Sequence, residues 1–279
     1  MAIIVLLQHE LCKDVSHNYI VHLFAERWRN CGHRVLEHFG TEPPPPGNLA
    51  VLHIDLTVVP AEYRALVSHY EHVINGTVLD ISKRTFSQNL VGPGSDWNGP
   101  VVVKTDANHY GRMEWIAHSV AEKLGVPSKP PTGPWMKDYL IYDSLREAPD
   151  WVWQGPGLIV EKFLPERDAQ GYYMRVWTFF GDRERSSRFR AEVPIIKSDL
   201  VLGRESVSVP DEIRAWREKL GFAFGKFDYV IHEGHPILLD TNRTPAAPTN
   251  SAVTPNSTES YASMADAIHG FLHRPVLRA

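Results

Sequence analysis

The 279-residue sequence is poor in cysteine and has no long apolar or basic run. Its two cysteines, Cys12 and Cys31, form neither a CxxC pair nor a Cys/His spacing, so no disulfide framework or zinc site is predicted. No apolar stretch approaches the roughly 20 residues that a membrane-spanning helix needs. Because the formal net charge is -4 and basic residues are not clustered, we expect neither nucleic acid nor a membrane as a partner.

Several catalytic signatures are also missing. The sequence contains no GxxxxGK phosphate loop, no GxGxxG after its first apolar run, no HExxH and no GxSxG, so the enzyme classes that these motifs mark are set aside. Residues 1–8 are apolar but lack the basic start and the cleavage site of a signal peptide, and a cytoplasmic protein is expected. With 43% hydrophobic and 22% charged residues, the chain has the composition of a folded globular protein.

The spacing of apolar residues predicts two kinds of architecture along the chain. Extended segments at 2–7, 34–39, 49–56 and 72–75 alternate with helical spacing at 19–30 and 61–69. This alternation predicts a small parallel sheet covered by helices. A helix is then predicted at 80–90, a strand at 189–196 and a closing amphipathic helix at 258–272. Most segments between 139 and 240 read as strands of an α+β, antiparallel region.

A hairpin near the end of this region carries the most informative polar side chains. Asp240 and Asn242 are two residues apart on one strand, so their side chains share a face. If the turn centres on Gly234, Asp228 pairs with Asp240 and joins that face, whereas an even-length turn puts Asp228 on the other face. Two carboxylates and an amide oxygen suit Mg²⁺. The alternative is a structural hairpin whose second strand ends in polar turn residues.

The same hairpin resembles the last signature of the ATP-grasp superfamily. A predicted helix at 210–220 precedes a Gly-x-x-Asp strand with Gly225 and Asp228, and an Asp-x-Asn strand with Asp240 and Asn242 follows. The chain is similar to small carboxylate–amine ligases of the glutathione synthetase and ribosomal-protein glutamate ligase group. This resemblance implies that Asp228, Asp240 and Asn242 bind Mg²⁺ between the phosphates of ATP.

Two lysines fit the same family. Lys104 ends an apolar strand and precedes a short polar loop at 105–111, where an ammonium group and backbone N–H groups can meet phosphate oxygens. It looks like the family's strand lysine and phosphate loop, although Gly111 is the only glycine of this loop. Lys83 resembles the lysine of the Asp-Lys pair that opens the family's nucleotide domain, as a second phosphate or adenine contact.

The segment 158–166 resembles the hinge between the two ATP-grasp lobes. Its apolar strand stops at Pro165, which leaves backbone groups for an adenine edge, and an acid follows that can accept ribose hydroxyls. An edge strand with a proline stop is the structural alternative. The residues that the resemblance assigns to the nucleotide here are Glu161, Lys162, Phe163 and Leu164 for adenine and Glu166 for ribose.

Two arginines complete the predicted site. Arg175 and Arg190 lie at strand positions and look like the family's arginines in this region, where a guanidinium group can stabilise charge on phosphoryl or carboxylate oxygens. We therefore expect both to be catalytic, and exposed structural arginines are the alternative. Substrate recognition is expected at 193–210 and 244–256.

Together these motifs imply an α/β N-terminal pre-ATP-grasp domain at 1–80, followed by two α+β lobes of an ATP-grasp fold. The small lobe would span 81–157, and the large C-terminal lobe with the Mg²⁺ site would span 158–279. The resemblance implies an ATP- and Mg²⁺-dependent ligase that activates a carboxylate as an acyl phosphate for attack by an amine. Its substrates would be a small-molecule or peptide carboxylate and an amine, and a homodimer is expected. A small-molecule kinase on the same site and a nucleotide-binding protein without turnover stay open as alternatives.

Overall fold

The computed structural model describes residues 1–10, 13, 19–136, 138–247 and 255–272, without the side chains of 255–258. Within these residues, thirteen strands form three sheets. None of the helices in the described ranges combines the length and the apolar character that crossing a bilayer requires. The part of the predicted substrate-recognition segment at 248–254 lies outside the described residues.

The N-terminal part is the predicted parallel α/β sheet. Its elements are β1 (Ile3–Gln8), α1 (Ile20–Asn30), β2 (Arg34–Phe39), β3 (Leu49–His53), α2 (Ala61–Ala65) and β4 (Val73–Ile74). The strand order is β2-β1-β3-β4, and every pair is parallel. Alternate residues of β1 pack on α1 and on α2, so both faces of the sheet are covered. From β1 the chain first adds β2 on one side and then β3 on the other. Such a switch point places a crevice at the carboxyl ends of β1 and β3.

A small antiparallel sheet follows. It consists of β5 (Val101–Thr105), β6 (Leu140–Tyr142) and β7 (Leu158–Lys162) in the order β6-β5-β7, with α3 (Arg112–Leu124) and α4 (Trp151–Gln154) beside it. Val101, Val103 and Val160 form a core on one face of this sheet. Because side chains alternate along a strand, Lys104 and Glu161 lie on the opposite face.

The large sheet contains the predicted hairpin. Its strands are β8 (Glu166–Asp168), β9 (Gly171–Phe180), β10 (Arg183–Ala191), β11 (Gly203–Ser206), β12 (Phe224–His232) and β13 (His235–Asn242). They run in the order β11-β10-β9-β12-β13, and β8 pairs with the start of β9. Trp177, Phe227 and Tyr229 form a core with α5 (Asp211–Lys219) on one face. The other face carries Asp228 and is called the acidic face below.

The closing helices pack on the N-terminal sheet. The predicted helix at 258–272 is observed as α6 (Pro255–Met264) and α7 (Ile268–Leu272), which a short 3₁₀ turn separates. Met264, Ala265 and Ile268 join the core of α1, and the indole N–H of Trp28 donates to the carbonyl oxygen of Ala265 at 2.8 Å. The chain therefore returns to its first domain after the large sheet.

Two predicted elements are wrong. The helix at 80–90 is only a 3₁₀ turn at Lys83–Thr85, because the following residues extend along the outer edge of β7. There the N–H of Val91 donates to the carbonyl of Val160 at 3.0 Å, and the N–H of Lys162 donates to Asn89 at 2.8 Å. The strand predicted at 189–196 is instead β10, which ends at Ala191 and leaves the apolar residues after it in a loop.

The side chain of Arg243 joins the N-terminal sheet to the end of β13. It is fully buried, and its guanidinium group donates to the carbonyl oxygens of Ile54 at 3.0 Å, Thr57 at 3.1 Å and Val78 at 2.7 Å, and also to that of Leu56. Burial lowers the pKa of Arg243 to about 10, so the group stays charged at neutral pH. One buried cation therefore satisfies four carbonyl groups between the N-terminal sheet and the end of β13.

Asn75 makes a second junction at the start of β12. Its backbone is left-handed, with φ 61°, and its side-chain amide donates to the carbonyl of Phe224 at 2.8 Å. The carbonyl oxygen of the same side chain accepts the N–H groups of Ala223 at 3.0 Å and Phe224 at 3.1 Å. The N-terminal domain thus supplies hydrogen bonds to the first residues of β12.

Replacing Arg243 by Lys should lower the free energy of unfolding by about 3–5 kcal/mol, because an ammonium group cannot reach four carbonyl groups that remain buried. Urea denaturation followed by tryptophan fluorescence measures this loss. Arg64→Lys is the matched control, since Arg64 is exposed and donates to a single carbonyl, that of Val59 at 2.7 Å. Equal unfolding midpoints for the two variants would contradict the role of Arg243.

Candidate active site

The turn of the β12–β13 hairpin has an even length. His232 pairs with His235, so the loop has two residues, Glu233 and Gly234, with φ of 49° and 84°. Two successive positive φ values are typical of a type I′ turn, which suits the twist of a hairpin. An even turn by itself would place Asp228 on the wrong face. Of the two turns left open by the sequence, the even-length one is therefore observed.

A β-bulge restores the predicted pairing of the two acids. Tyr229 pairs with Leu238, but the next residue, Asp228, pairs with Asp240, so Leu239 is an extra residue in β13. The bulge shifts the register by one residue and brings Asp240 to the face of Asp228. The predicted juxtaposition is observed, although it comes from a bulge and not from the turn.

The two acids form a partly compensated pair on the acidic face. Lys226 lies on the same face, and its ammonium group donates to Asp228 Oδ2 at 2.9 Å. The second oxygen, Asp228 Oδ1, is buried and makes no hydrogen bond with any described residue. Burial raises the pKa of Asp228, Lys226 opposes that shift, and the negative charge of Asp240 adds to it. One oxygen of the acidic pair, Asp228 Oδ1, therefore has no hydrogen-bond donor beside it among the described residues.

This donor set fits Mg²⁺. In the described part of the chain no three His, Cys, Asp or Glu side chains gather as a metal site, so the protein offers two carboxylates and the amide oxygen of Asn242. Mg²⁺ commonly takes one or two protein carboxylates and fills its other positions with phosphate oxygens and water. Asn242 Oδ1 accepts the N–H of Thr244 at 2.8 Å and lies 3.1 Å from Thr244 Oγ1, and it keeps a lone pair for a ligand when the Thr244 hydroxyl donates to Asp55.

Two buried lysines reach β13 from different parts of the chain. Lys104 lies 2.7 Å from Glu161 Oε2 and donates to the carbonyl oxygen of the bulged residue Leu239 at 3.2 Å. Lys83 donates to the carbonyl oxygen of Ala107 at 2.6 Å, and its Nζ lies 3.6 Å from Asp240 Oδ1. Burial lowers the pKa of Lys83, and the charge of Asp240 opposes this. The lysines and the acids thus form one cluster.

The loop at 105–111, which was predicted to bind phosphate, turns sharply although it contains few glycines. His109, Tyr110 and Gly111 are all left-handed, with φ of 44°, 63° and 71°. The two non-glycine residues store strain of the order of 1 kcal/mol each, which is typical of functional loops. The N–H of Asn108 donates to Thr57 Oγ1 at 2.9 Å and anchors the loop to the N-terminal domain.

Structural comparison places this arrangement among known proteins. A D-alanine–D-alanine ligase from Bacillus anthracis has a TM-score of 0.53 and 14% identity, with 98% of this chain and 97% of that chain covered. A Chryseobacterium gregarium RiPP-associated ATP-grasp ligase, in complex with ADP and a leader and core peptide, has a TM-score of 0.54 and 10% identity, with 97% of each chain covered. The D-cycloserine synthetase DcsG has a TM-score of 0.52 and 17% identity, with 96% of this chain and 99% of that chain covered.

The chain has an ATP-grasp fold. The predicted ATP-grasp fold is thereby confirmed. Sequence comparison matches the chain to no family model and to no curated protein. The predicted domain bounds stay a prediction.

The segment predicted as the ATP-grasp hinge is largely paired. The N–H of Lys162 donates to Asn89, the N–H of Phe163 donates to Pro100 at 2.9 Å, and the Lys162 ammonium group lies 4.9 Å from the ring centre of Trp97. Glu161 binds Lys104 through its side chain. The N–H of Leu164 makes no hydrogen bond with a described residue, so it is a free backbone donor in the segment predicted to contact adenine.

Glu166 and Arg175 bind each other. Arg175 donates to both carboxylate oxygens, with Nε 2.9 Å from Oε2 and Nη2 2.8 Å from Oε1, and the N–H of Ile231 donates to Oε2 at 2.8 Å. Hydrogen bonding to Glu166 is the main cause of a raised Arg175 pKa. The carboxylate predicted to bind ribose is therefore already occupied by partners within the protein.

Strand alternation separates Arg175 and Arg190 from the two acids. Arg175 pairs with Tyr229, and Asp228 pairs with Val176, so Arg175 and Asp228 lie on opposite faces of the large sheet. Arg190 lies on the face of Arg175, and its Nη1 donates to the carbonyl oxygen of Gln170 at 3.1 Å. The structure does not bring either arginine to the acidic pair, and we place neither in the proposed reaction.

Three further residues near the acids were not predicted. Lys226 precedes Asp228 by two positions, so the same alternation that joins Asp240 to Asn242 could have identified it. The phenol of Tyr139 has a pKa well above its ordinary value because of burial and of the charge of Asp240. No sequence pattern marks Tyr139, which follows an irregular segment.

The third unpredicted residue is Asp55, which follows β3. Thr244 Oγ1 lies 2.5 Å from Asp55 Oδ1 and 3.1 Å from Asn242 Oδ1. The hydroxyl of Tyr19 donates to the other oxygen of Asp55. Burial raises the pKa of Asp55, and these hydrogen bonds oppose the shift. The hydroxyl of Thr244 has one proton, so when it donates to Asp55 the Thr244 N–H is the group that holds Asn242 Oδ1.

If Arg175 has a structural role, Arg175→Gln should lower the free energy of unfolding by about 3 kcal/mol, because buried Glu166 keeps only the Ile231 N–H at 2.8 Å and Arg188 at 3.6 Å. The side chains are only 14% and 10% exposed, so water compensates little. The double variant Glu166→Gln with Arg175→Gln should recover part of the loss in a urea titration. An unchanged unfolding free energy combined with lost activity would restore the catalytic prediction.

Proposed function

We propose that the protein is an ATP- and Mg²⁺-dependent ligase that joins a carboxylate to an amine through an acyl phosphate. The observation that carries the proposal is the pairing of Asp228 with Asp240 on one face, next to Asn242 and the buried Lys83. The ATP-grasp fold and the ligases that share it support the assignment. The nucleotide would lie between the small sheet and the acidic face of the large sheet.

The lysines bind and orient the triphosphate in this proposal. Lys83 and Lys104 each carry an ammonium group that is already close to a carboxylate and a carbonyl oxygen, so both are held in place before the nucleotide arrives. Fixed charges of this kind need little reorganisation when phosphate charge develops. Asp228, Asp240 and Asn242 would hold Mg²⁺, which neutralises the phosphate oxygens when bound.

The reaction has two steps. A carboxylate oxygen of the first substrate forms a bond to the γ-phosphorus while the bond to the bridging oxygen breaks, which releases ADP. The amine nitrogen then forms a bond to the acyl carbon, phosphate leaves, and the amine loses its proton to water. The protein supplies position and charge, and no protein nucleophile is needed.

Lys226 is the cation that we assign to the transferring group. Its ammonium group lies on the acidic face, 2.9 Å from Asp228, and it pairs in register with Asn242. The charge of Asp228 raises the pKa of Lys226 against the effect of burial. A permanently protonated Lys226 can therefore donate to the phosphoryl oxygens of an acyl phosphate.

A small-molecule kinase is the second candidate, and His109 favours it. Burial, followed by the charge of Arg112, lowers the pKa of His109, so its imidazole is neutral at pH 7 and can accept a proton from a hydroxyl acceptor. Mass spectrometry separates the two functions, because a ligase forms an amide together with ADP and phosphate, whereas a kinase forms a phosphorylated acceptor and ADP.

Asp240→Asn should reduce acceptor-dependent ADP release by roughly 100-fold or more, the scale expected when one preorganised charge is removed from a transfer site. The assay supplies pooled carboxylates and amines with Mg·ATP. Asp143→Asn changes an equally charged but exposed side chain and should keep wild-type activity. Wild-type turnover in Asp240→Asn, or a bound ATP analogue remote from Asp240 in a crystal, would overturn the proposed site.

The affinity for ATP should fall as pH rises through the pKa of Lys83, which burial holds below its ordinary value of 10.5. The phosphates bind the protonated lysine, so binding takes up protons in this alkaline range. Isothermal titration in two buffers of different ionisation enthalpy measures the uptake. Lys83→Met should abolish it, whereas Lys123→Met, at an exposed position, should not. Proton release on binding would contradict the assignment.

A further inference from the structure

Two arginines on the acidic face have no acidic partner among the described residues. Arg185 pairs with Thr178, which in turn pairs with Lys226, so Arg185 and Lys226 lie in one row across the sheet. Arg204 of β11 pairs with Phe189 of β10 and points to the same face. The two strands therefore place a second cationic group beside the acidic pair.

Three other arginines of the large sheet and of α5 do have an acidic partner. Arg175 binds Glu166, Arg188 binds Glu205 and Arg214 binds Glu184. Arg190 and Arg217 have no carboxylate partner among the described residues and donate instead to backbone carbonyl oxygens, so Arg185 is set apart by its buried and unpartnered Nη1.

The surroundings of Arg185 and Arg204 leave donors available. The guanidinium carbon of Arg185 lies 5.0 Å from the ring centre of Tyr261, and its Nη1 is buried without a hydrogen-bond partner in the described ranges. Arg204 Nε donates to Ser187 Oγ at 3.0 Å, and its guanidinium carbon lies 5.4 Å from the ring centre of Phe189. A guanidinium group held against an aromatic face keeps its in-plane N–H groups for an anion.

The two guanidinium groups also repel each other. Burial lowers the pKa of Arg204, and the positive charge of Arg185 lowers it further. Holding like charges together costs free energy unless an anion lies between them. An anionic ligand would remove this cost and supply the acceptor oxygens that Arg185 Nη1 lacks.

The position of the arginines separates them from the reacting phosphate. Strand β10 lies two strands from β12, and neighbouring strands are about 4.8 Å apart, so the row of Arg185 lies on the order of 10 Å from Asp228. An anion bound there is not the γ-phosphate. It is also not the carboxylate that attacks the γ-phosphate beside Asp228 and Asp240.

We propose that Arg185, Arg204 and Tyr261 form a subsite for a second carboxylate, one that the reaction does not consume. This inference rests on the proposed ligase function. The substrate that it selects is a short peptide whose unreacted carboxylate lies roughly 10 Å from the activated or attacked group, a span of about three extended residues. The planar fork of each guanidinium group matches a carboxylate and fixes the direction of the substrate across β9.

The test measures binding without turnover. With Mg²⁺ and a non-hydrolysable ATP analogue filling the nucleotide site, N-acetyl-glycylglycine and its C-terminal amide are titrated into the protein by calorimetry. The acid should bind at least about tenfold more tightly than the amide, because only the acid neutralises the arginines. Equal affinities, or no binding of the acid, would overturn the subsite.

Substitutions of the two arginines test whether they bind the carboxylate of the acid. Arg185→Gln and Arg204→Gln should each weaken binding of the acid by about tenfold and leave the affinity for the amide and for ATP unchanged. If Arg185→Gln does not fold, Arg185→Lys takes its place. Lysine keeps the charge but lacks the planar guanidinium fork, so the affinity for the acid should fall by an intermediate amount. Arg183→Gln is the matched control, since Arg183 lies on the same strand with a side chain that is 59% exposed. Unchanged affinity for the acid in Arg185→Gln and Arg204→Gln would overturn the proposal.

The experiments also separate two other outcomes. One is that the subsite binds a phosphate ester, and the other is that the proposed ligase function is wrong. Tighter binding of phenyl phosphate than of the acid would overturn the carboxylate assignment in favour of a phosphate ester. If the arginines bind the acid but no acceptor pair releases ADP, the proposed ligase function fails while the subsite stands. If ADP release is equally fast with free and amidated peptides, the subsite fails while the ligase function stands.

Discussion

The structure depends on one buried cation, the guanidinium group of Arg243. This group satisfies four carbonyl groups, three of them in the segment 54–57 and one at Val78. Arg243 is the residue after Asn242, so the same contact that joins two domains also fixes the end of the strand that carries Asp240. A charged group without a carboxylate partner is costly to bury, and the carbonyl dipoles offset that cost only when all of them are in place. The position of the acidic pair is therefore coupled to the folding of the N-terminal sheet.

Around this junction the site is built from separate pieces of chain that have little stability alone. The segment with Lys83, the strand with Lys104 and the loop before Gly111 all reach β13, and each brings a charge or a bent backbone that its own neighbours would not support. The bulge at Leu239 has two consequences. It sets the register that opposes Asp228 to Asp240, and it turns a carbonyl oxygen to Lys104. The same bulge therefore determines both the geometry of the acidic pair and one contact of Lys104.

Local patterns predicted the residues of the acidic pair but not the way in which they meet. Alternation along one strand put Asp240 and Asn242 on one face, and this holds in any register. The pairing of Asp228 needed a bulge, which tertiary contacts of Leu239 favour and no local pattern marks. The helix at 80–90 failed for the same reason, since residues 89–91 pair with β7, which is distant in sequence. Arg175 and Arg190 were assigned to the site because their strands were recognised without the register between β9 and β12, and only that register reveals the face.

The arginines of the large sheet differ in how their charge is compensated. On the face that packs against α5, Arg175 and Arg188 are each bound to glutamates, and the charge is consumed within the protein. On the acidic face, Lys226 is compensated by Asp228, whereas Arg185 and Arg204 have aromatic rings and a serine beside them. A sheet that needed these arginines only for stability would gain more from carboxylate partners or from apolar side chains. The uncompensated charge of Arg185 and Arg204 therefore supports the proposed subsite, in which the substrate supplies the missing anion on the same sheet face as the proposed nucleotide site.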